Sequence, residues 1–203
     1  MADAHASLSR WDMALFAFKS GLLKLRRLAV DLADPTLRRL KRTTGVGETI
    51  AEVATPLYTD SDTSERGLQL GKVQNLRVAA RALDGLVIPA GQAFSFWSHV
   101  GRPTRGRGFV TGRELRQGCL IPTVAGGLCQ LSNSLYQAAL RAGCEIVERH
   151  GHTAAVPDSP FLPGEDATVF WNYVDLRFRP RRNLRLAVRL SAEQLIVRLE
   201  ALP

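Results

Sequence analysis

The spacing of apolar residues divides the chain into a few helices set among many short strands. From about Ser9 to Arg42, Leu15, Phe18, Leu22, Leu25, Ala29 and Leu32 recur every three or four positions and share one helix face. Lys19, Lys24, Arg26 and Arg27 lie away from the centre of that face, Pro35 ends the run, and LRRLKR from Leu37 is a basic coda. Thr43 to Leu68 is rich in Thr, Gly, Asp and Ser and reads as a linker or loop. Val73, Leu76, Ala80 and Leu83 predict a second helix, stopped by the Asp84-Gly85 turn. LVIPAGQAFSFW is β-rich with a turn at Pro89-Ala90-Gly91, and FVTGREL and CLIPTV pattern as two strands around a turn. The best-formed helix runs from Cys129 to Ala142, with Leu128, Leu131, Leu135, Ala138 and Ala142 as its stripe and Gly143 as its stop. CEIVERH is a strand, ATVFWNYVDLRFR a strongly β run, and LRLAVRLSAEQLIVRLEA a hairpin around Ser191-Ala192-Glu193. Strands flank helices without regular βαβ alternation, which predicts an α+β fold. Residues 1–45 form a basic amphipathic helical segment, 46–68 a linker or loop, and 69–203 a single mixed domain.

Composition leaves two readings of the charge open, an anionic partner and a simply solvated basic surface. With 45% apolar and 23% charged residues, the 203-residue chain is ordinary for a globular protein. Its net charge of +8 and pI near 10.1 are not. The helical segment, residues 9–42, either lies on an anionic membrane surface or packs its stripe on the domain. No nucleic-acid partner is expected. Three cysteines without CxxC spacing argue against a disulfide framework and a zinc site, so no metal or organic cofactor is expected. The apolar run MALFAF is cut by Lys19, acidic Asp3 and Asp12 stand where a signal peptide is basic, and no small-residue cleavage site follows. No stretch reaches the ~18 apolar residues of a membrane span. The expected location is cytoplasmic, or peripheral at the inner membrane.

Chemistry concentrates at VAGGLCQLSNSLYQAAL. A cysteine in the first turn of a helix sits near unpaired N–H groups and the positive end of the macrodipole, which favours its thiolate. Gly126 and Gly127 allow a substrate backbone close to Cys129, and the amides of Cys129 and Gln130 are candidate oxyanion donors. The bland alternative is a buried structural cysteine, the reading given to Cys119 and Cys144. A nucleophile needs a base, and ERHGHT supplies His150 and His152. The strand carrying them follows the helix after one glycine and returns antiparallel, so its end approaches the helix start. Asp166 or Asp175 is the candidate orienting acid. Arg105, in the basic loop GRPTRGRG, and Tyr136, on the cysteine's helix, are candidates for substrate contact.

The segments VIPAGQAFSFW, GRPTRGRGF, VAGGLCQLSNSLYQAALRAGCEIVERHGHT and PGEDATVFWNYVDLRFR, in that order between Leu83 and Phe178, resemble the VanW domain, named from a component of vancomycin-resistance gene clusters. The resemblance implies an activity like that of L,D-transpeptidases, in which a cysteine joins peptidoglycan stem peptides. Carried onto this chain, it makes Cys129 the nucleophile and His152, followed by Thr153, the base in preference to His150. Gly126, Gly127 and Gln130 would shape the site, with Asp166 and Asp175 as supporting acids. The implied substrate is a meso-diaminopimelate or similar stem peptide, with an amine acceptor. Two positions depart from the family pattern: Ala125-Gly126-Gly127 replaces a triple glycine, and Trp97 stands where the family often has Asn. The alternatives are a non-catalytic cell-wall peptide-binding module and a membrane-surface accessory protein linked to glycopeptide resistance.

Overall fold

Alternation along the last forty residues builds the main sheet. In a computed structural model, which describes residues 10–58, 66–116, 119–151 and 166–203, β8 (Leu184–Leu190) and β9 (Gln194–Ala201) form the expected antiparallel hairpin. Leu195, Val197 and Leu199 alternate inward and are fully buried, as a half-buried strand requires. The sheet order is β1-β9-β8-β2, with β1 at Glu48–Pro56 and β2 at Val87–Ile88. Arg185 and Glu200 face each other across the hairpin as a buried ion pair, Nη1 to Oε2 2.7 Å.

Strand β1 corrects the expectation of a linker over 46–68. Its inward residues are Ala51, Val53 and Thr55, two of them small and one polar, so its periodicity is weak until β9 pairs with it. Helix α2 spans Arg66–Leu83 and starts earlier than its apolar stripe suggested. Its first turns carry Gly71, where any Cβ would collide with the Thr111 carbonyl oxygen, so the helix backbone lies directly on the next sheet. Arg42, from the basic coda, closes its other end by donating to the Arg81, Ala82 and Asp84 carbonyls.

The remaining strands form two small sheets. β3 (Phe94–Ser95), β6 (Glu145–Glu148) and β7 (Arg177–Arg179) associate in the order β3-β7-β6, and β4 (Thr111–Arg116) pairs with β5 (Cys119–Val124). The β run ATVFWNYVDLRFR is only partly strand. A bridge between Phe170 and Val174 closes a turn over 171–173, and pairing resumes at Arg177. Phe96 and Trp97, expected as strand, open the short helix α3 (Phe96–Val100), because the Ser95 hydroxyl accepts from Ser98 N at 3.2 Å and caps it.

Helix α4 (Leu128–Arg141) matches its expected stripe: Leu128, Leu131, Leu135 and Ala138 are buried, and Gly143 follows at φ 67°. The domain is α+β, as expected. The chain divides after Pro35 into two units. The first contains α1 (Arg10–Ala33), on which Phe18, Leu22, Leu25 and Leu32 are exposed. Among the described residues no helix is long and apolar enough to cross a membrane.

Candidate functional site

The site begins where β5 turns into α4. Ala125 N donates to Val110 O at 3.0 Å and Gly126 N to Thr123 O at 3.0 Å, which bends the chain tightly. Ala125 sits at φ 66° and Gly127, the residue before the helix, at φ 98°, both in the left-handed region. Only glycine adopts the second position without strain, and a Cβ there would also strike the Lys72 side chain. The turn backs onto β4 so closely that a Cβ on Gly126 would lie 2.5 Å from Gly112 O. Asn75, fully buried on α2, fastens it: Nδ2 donates to Val110 O and Gly126 O, both at 3.0 Å, and Oδ1 accepts from Val110 N at 2.8 Å.

This turn presents Cys129 in the first turn of α4, half-buried and unbridged. Its Sγ lies 3.2 Å from Thr168 Oγ1 and 3.9 Å from the Val169 carbonyl oxygen. Thr168 is held there from both neighbouring elements. Asn133, one turn further along α4, accepts from Ala167 N at 2.6 Å, and Thr168 N donates to His150 O at 2.7 Å. The return of the chain after α4 therefore brings the backbone of His150 to the residue that touches the thiol. A cavity of about 170 Å³ opens here, walled by the 123–129 turn, by 168–171, and by Trp97 and Pro103.

The imidazole of His150 faces elsewhere. Its Nε2 is 3.1 Å from Glu148 Oε1, and the side chain is 48% exposed. His152 and Thr153 lie outside the described residues. Glu148, rather than either aspartate, is the acid beside His150. The sequence held the signal, since residues two apart on an extended strand share a face. Glu148 also accepts from Asp175 N at 3.2 Å and sits 3.5 Å from Arg177 Nε.

Asp175 is a buried fastening for the cavity wall. Its carboxylate accepts from Ser95 Oγ at 2.6 Å, Trp97 N at 3.1 Å and Arg177 Nε at 2.9 Å. Burial pushes this carboxyl above its ordinary range, and those three donors pull against the rise. Trp97, fixed also by Nε1 donating to Val174 O at 2.8 Å, packs edge-on against Trp171. Asp166 is likewise a latch: its backbone carbonyl accepts from Arg149 Nε at 2.7 Å, and its Oδ1 lies 3.5 Å from Arg149 Nη2. The Arg149 guanidinium rests over the Tyr136 ring, 5.3 Å from its centroid, so Tyr136 supports that latch and does not line the cavity.

Two expected site residues point away from the thiol. Gln130 donates from Nε2 to Thr55 Oγ1 at 3.0 Å and Pro56 O at 2.8 Å, binding α4 to β1, while its amide donates to Gly127 O at 3.1 Å. Arg105 donates to Thr111 Oγ1 at 3.0 Å on the surface. Gly126, Gly127 and Cys129 do share the cavity.

Lys72 was not anticipated. It is 6% exposed, and its pKa is lowered to about 8 by burial first and by nearby Arg113 second. Its aliphatic stem crosses Gly127 at the start of α4. Cys144, the second described free thiol, is pushed up to about 11 by burial, which makes it inert at neutral pH. Among the described residues no cluster of His, Cys, Asp and Glu could hold a metal ion.

A family model described as VanW like protein matches residues 71–201. The chain is 35% identical over 142 residues to the uncharacterized protein YoaR of Bacillus subtilis, covering 70% of this chain and 46% of that protein. It is 34% identical over 126 residues to the vancomycin B-type resistance protein VanW of Enterococcus faecalis, covering 61% of this chain and 46% of that protein. The chain thus spans less than half the length of these curated relatives. No solved structure matches it.

Proposed function

The chain belongs to the VanW-like family, and on that footing we propose that it is a cysteine-dependent acyl transferase acting on peptidoglycan stem peptides or their fragments. The observation that carries the reading is the half-buried Cys129 thiol in the first turn of α4, beside a cavity of about 170 Å³. In the proposed reaction the Cys129 thiolate forms an S–C bond to a donor carbonyl. The C–N bond breaks and the amine departs with a proton. An acceptor amine then attacks the thioester, gives up a proton, and returns the thiolate. His152 is the proposed proton carrier, with Thr168 beside the sulfur.

A binding role for the same cavity is the second reading. It is favoured by the mainly apolar wall that Trp97, Val169, Phe170 and Trp171 give that cavity. An anionic membrane surface is a further proposed partner for residues 9–42, supported by the exposed apolar residues of α1 beside its lysines and arginines. The deciding experiment compares the wild-type protein and Cys129→Ala on synthetic stem peptides by mass spectrometry. The wild type is expected to form a thioester adduct and an exchanged product, and the folded alanine variant neither. Product formation by Cys129→Ala would refute the acyl-transfer reading. Unchanged peptide affinity without product in either protein would select the binding module.

A further inference from the structure

Three cavities meet at one arginine, Arg42, which lines them all. The first, about 390 Å³, opens between the basic coda and α3, with Arg39 and His99 in its wall. The second, about 630 Å³, adds Arg185 and Arg189 from β8. The third, about 360 Å³, adds Arg77 and Arg81 from α2. All of these residues belong to the unit that starts at Thr36. Among the described residues, Asp84 is the one acid in the three linings, and its Oδ1 already accepts from Val188 N at 3.0 Å.

Local bonding does not account for this charge. Arg185 is paired with Glu200, and Arg38, also in the first cavity, is engaged by neighbours, so neither is counted. Arg42 donates to three carbonyls at the end of α2, which carry only partial charge. The guanidinium groups of Arg39, Arg77, Arg81 and Arg189 are exposed and have no hydrogen-bond or ion-pair partner among the described residues. Arg77 and Arg81 stand four apart on one face of α2, a spacing at which like charges repel. Charge of one sign lining a concave surface focuses its field there and concentrates anions. Guanidinium forks match the oxygens of phosphate.

We infer that the concave surface around Arg42 binds a ligand carrying two or more phosphate groups, held by Arg39, Arg77, Arg81 and Arg189. Two sources share that chemistry, an anionic phospholipid headgroup and a soluble phosphate ester. None of the residues lining these three cavities lines the one beside Cys129, so the inference stands whether or not the thiol reacts. It also goes beyond the membrane surface proposed for residues 9–42, since Arg77, Arg81 and Arg189 lie outside that segment.

Sodium pyrophosphate, titrated into the full chain at constant ionic strength with sulfate as control, tests the site. The wild type is expected to saturate with a Kd below about 1 mM and to bind sulfate at least about tenfold more weakly. Arg39→Gln and Arg77→Gln/Arg81→Gln remove exposed, unbonded charges and leave Arg42 holding α2. Each is expected to weaken pyrophosphate by about tenfold, the scale of one charge-assisted contact. His99 reports the position. Burial first, with Arg42 among the lesser causes, holds its imidazole below the ordinary range, so an anion beside Arg42 raises its pKa measured by NMR. No saturable pyrophosphate binding, equal binding of sulfate, or affinity retained in both variants overturns the assignment. Phosphatidylcholine vesicles containing cardiolipin then separate the sources. Cosedimentation that falls in both variants assigns the lipid headgroup. Cosedimentation unchanged in variants that have lost pyrophosphate assigns the soluble ester.

Discussion

Replacing Asn75 is expected to loosen the turn that carries the thiol. Its side chain is fully buried and serves three backbone groups: Val110 N–H, Val110 C=O and Gly126 C=O. Asn75→Ala leaves all three without their partner in a place water does not reach. A stranded buried group loses about 1–3 kcal/mol, with carbonyls at the low end because they keep a second lone pair. The expected loss is therefore about 3 kcal/mol. Asn75→Asp separates hydrogen bonding from cavity formation, since it fills the same volume. It retains the acceptor for Val110 N–H but turns an oxygen toward the two carbonyls at 3.0 Å. It is expected to destabilise by at least as much as alanine. Urea unfolding followed by circular dichroism reads both, as a fall in midpoint of about 1.5 M at unchanged slope. An aspartate variant within about 0.5 kcal/mol of wild type would show that the two donated bonds contribute nothing, and the account of the turn would be wrong.

Two other expectations concern the same region. Ala125 and Gly127 are both left-handed, but only Gly127 has Lys72 against its missing Cβ. Ala125→Gly should change stability by less than about 1 kcal/mol, relief of the left-handed strain offsetting lost burial and backbone entropy, whereas Gly127→Ala should lose more than about 2 kcal/mol; equal effects in thermal melts would contradict this. The folded-state pKa of Lys72, about 8, lies below its ordinary 10.5. Between those values the unfolded chain binds more protons, so Lys72 should make stability rise with pH across that window, by roughly 3 kcal/mol in all. Below about pH 8 its penalty is fully present. Lys72→Met should remove the rise and be the more stable protein at neutral pH; parallel pH profiles for the two proteins would overturn the account.

The parts of the fold legible in the sequence were those whose apolar residues repeat with a clean period. Helix α4 showed itself through Leu128, Leu131 and Leu135, and the β8–β9 hairpin through strict alternation. The glycines before Cys129 stood out as well, but as room for a substrate, whereas the structure uses them for close packing against Gly112 and Lys72. Elements that bury polar or small residues were not legible. The first turns of α2 hide Gln69, Lys72 and Asn75, and an apolar count scores them as surface. Strand β1 buries Ala51 and Thr55 and needs its partner β9 to be recognised. In the site, Asp166 and Asp175 stood out as positions, and both hold walls through contacts with Arg149 and with Ser95 and Trp97 that no local spacing encodes.

Strand β1 also sets the practical limits of this domain. The family match starts at Gly71, well after β1 has ended at Pro56. Yet β1 covers the whole length of β9 and receives the side chain of Gln130 from the cysteine helix. A fragment trimmed to the matched region would leave β9 with an open row of amides and carbonyls, a template on which further copies could stack. The recognisable part of the sequence is smaller than the part that packs the hairpin and the cysteine helix.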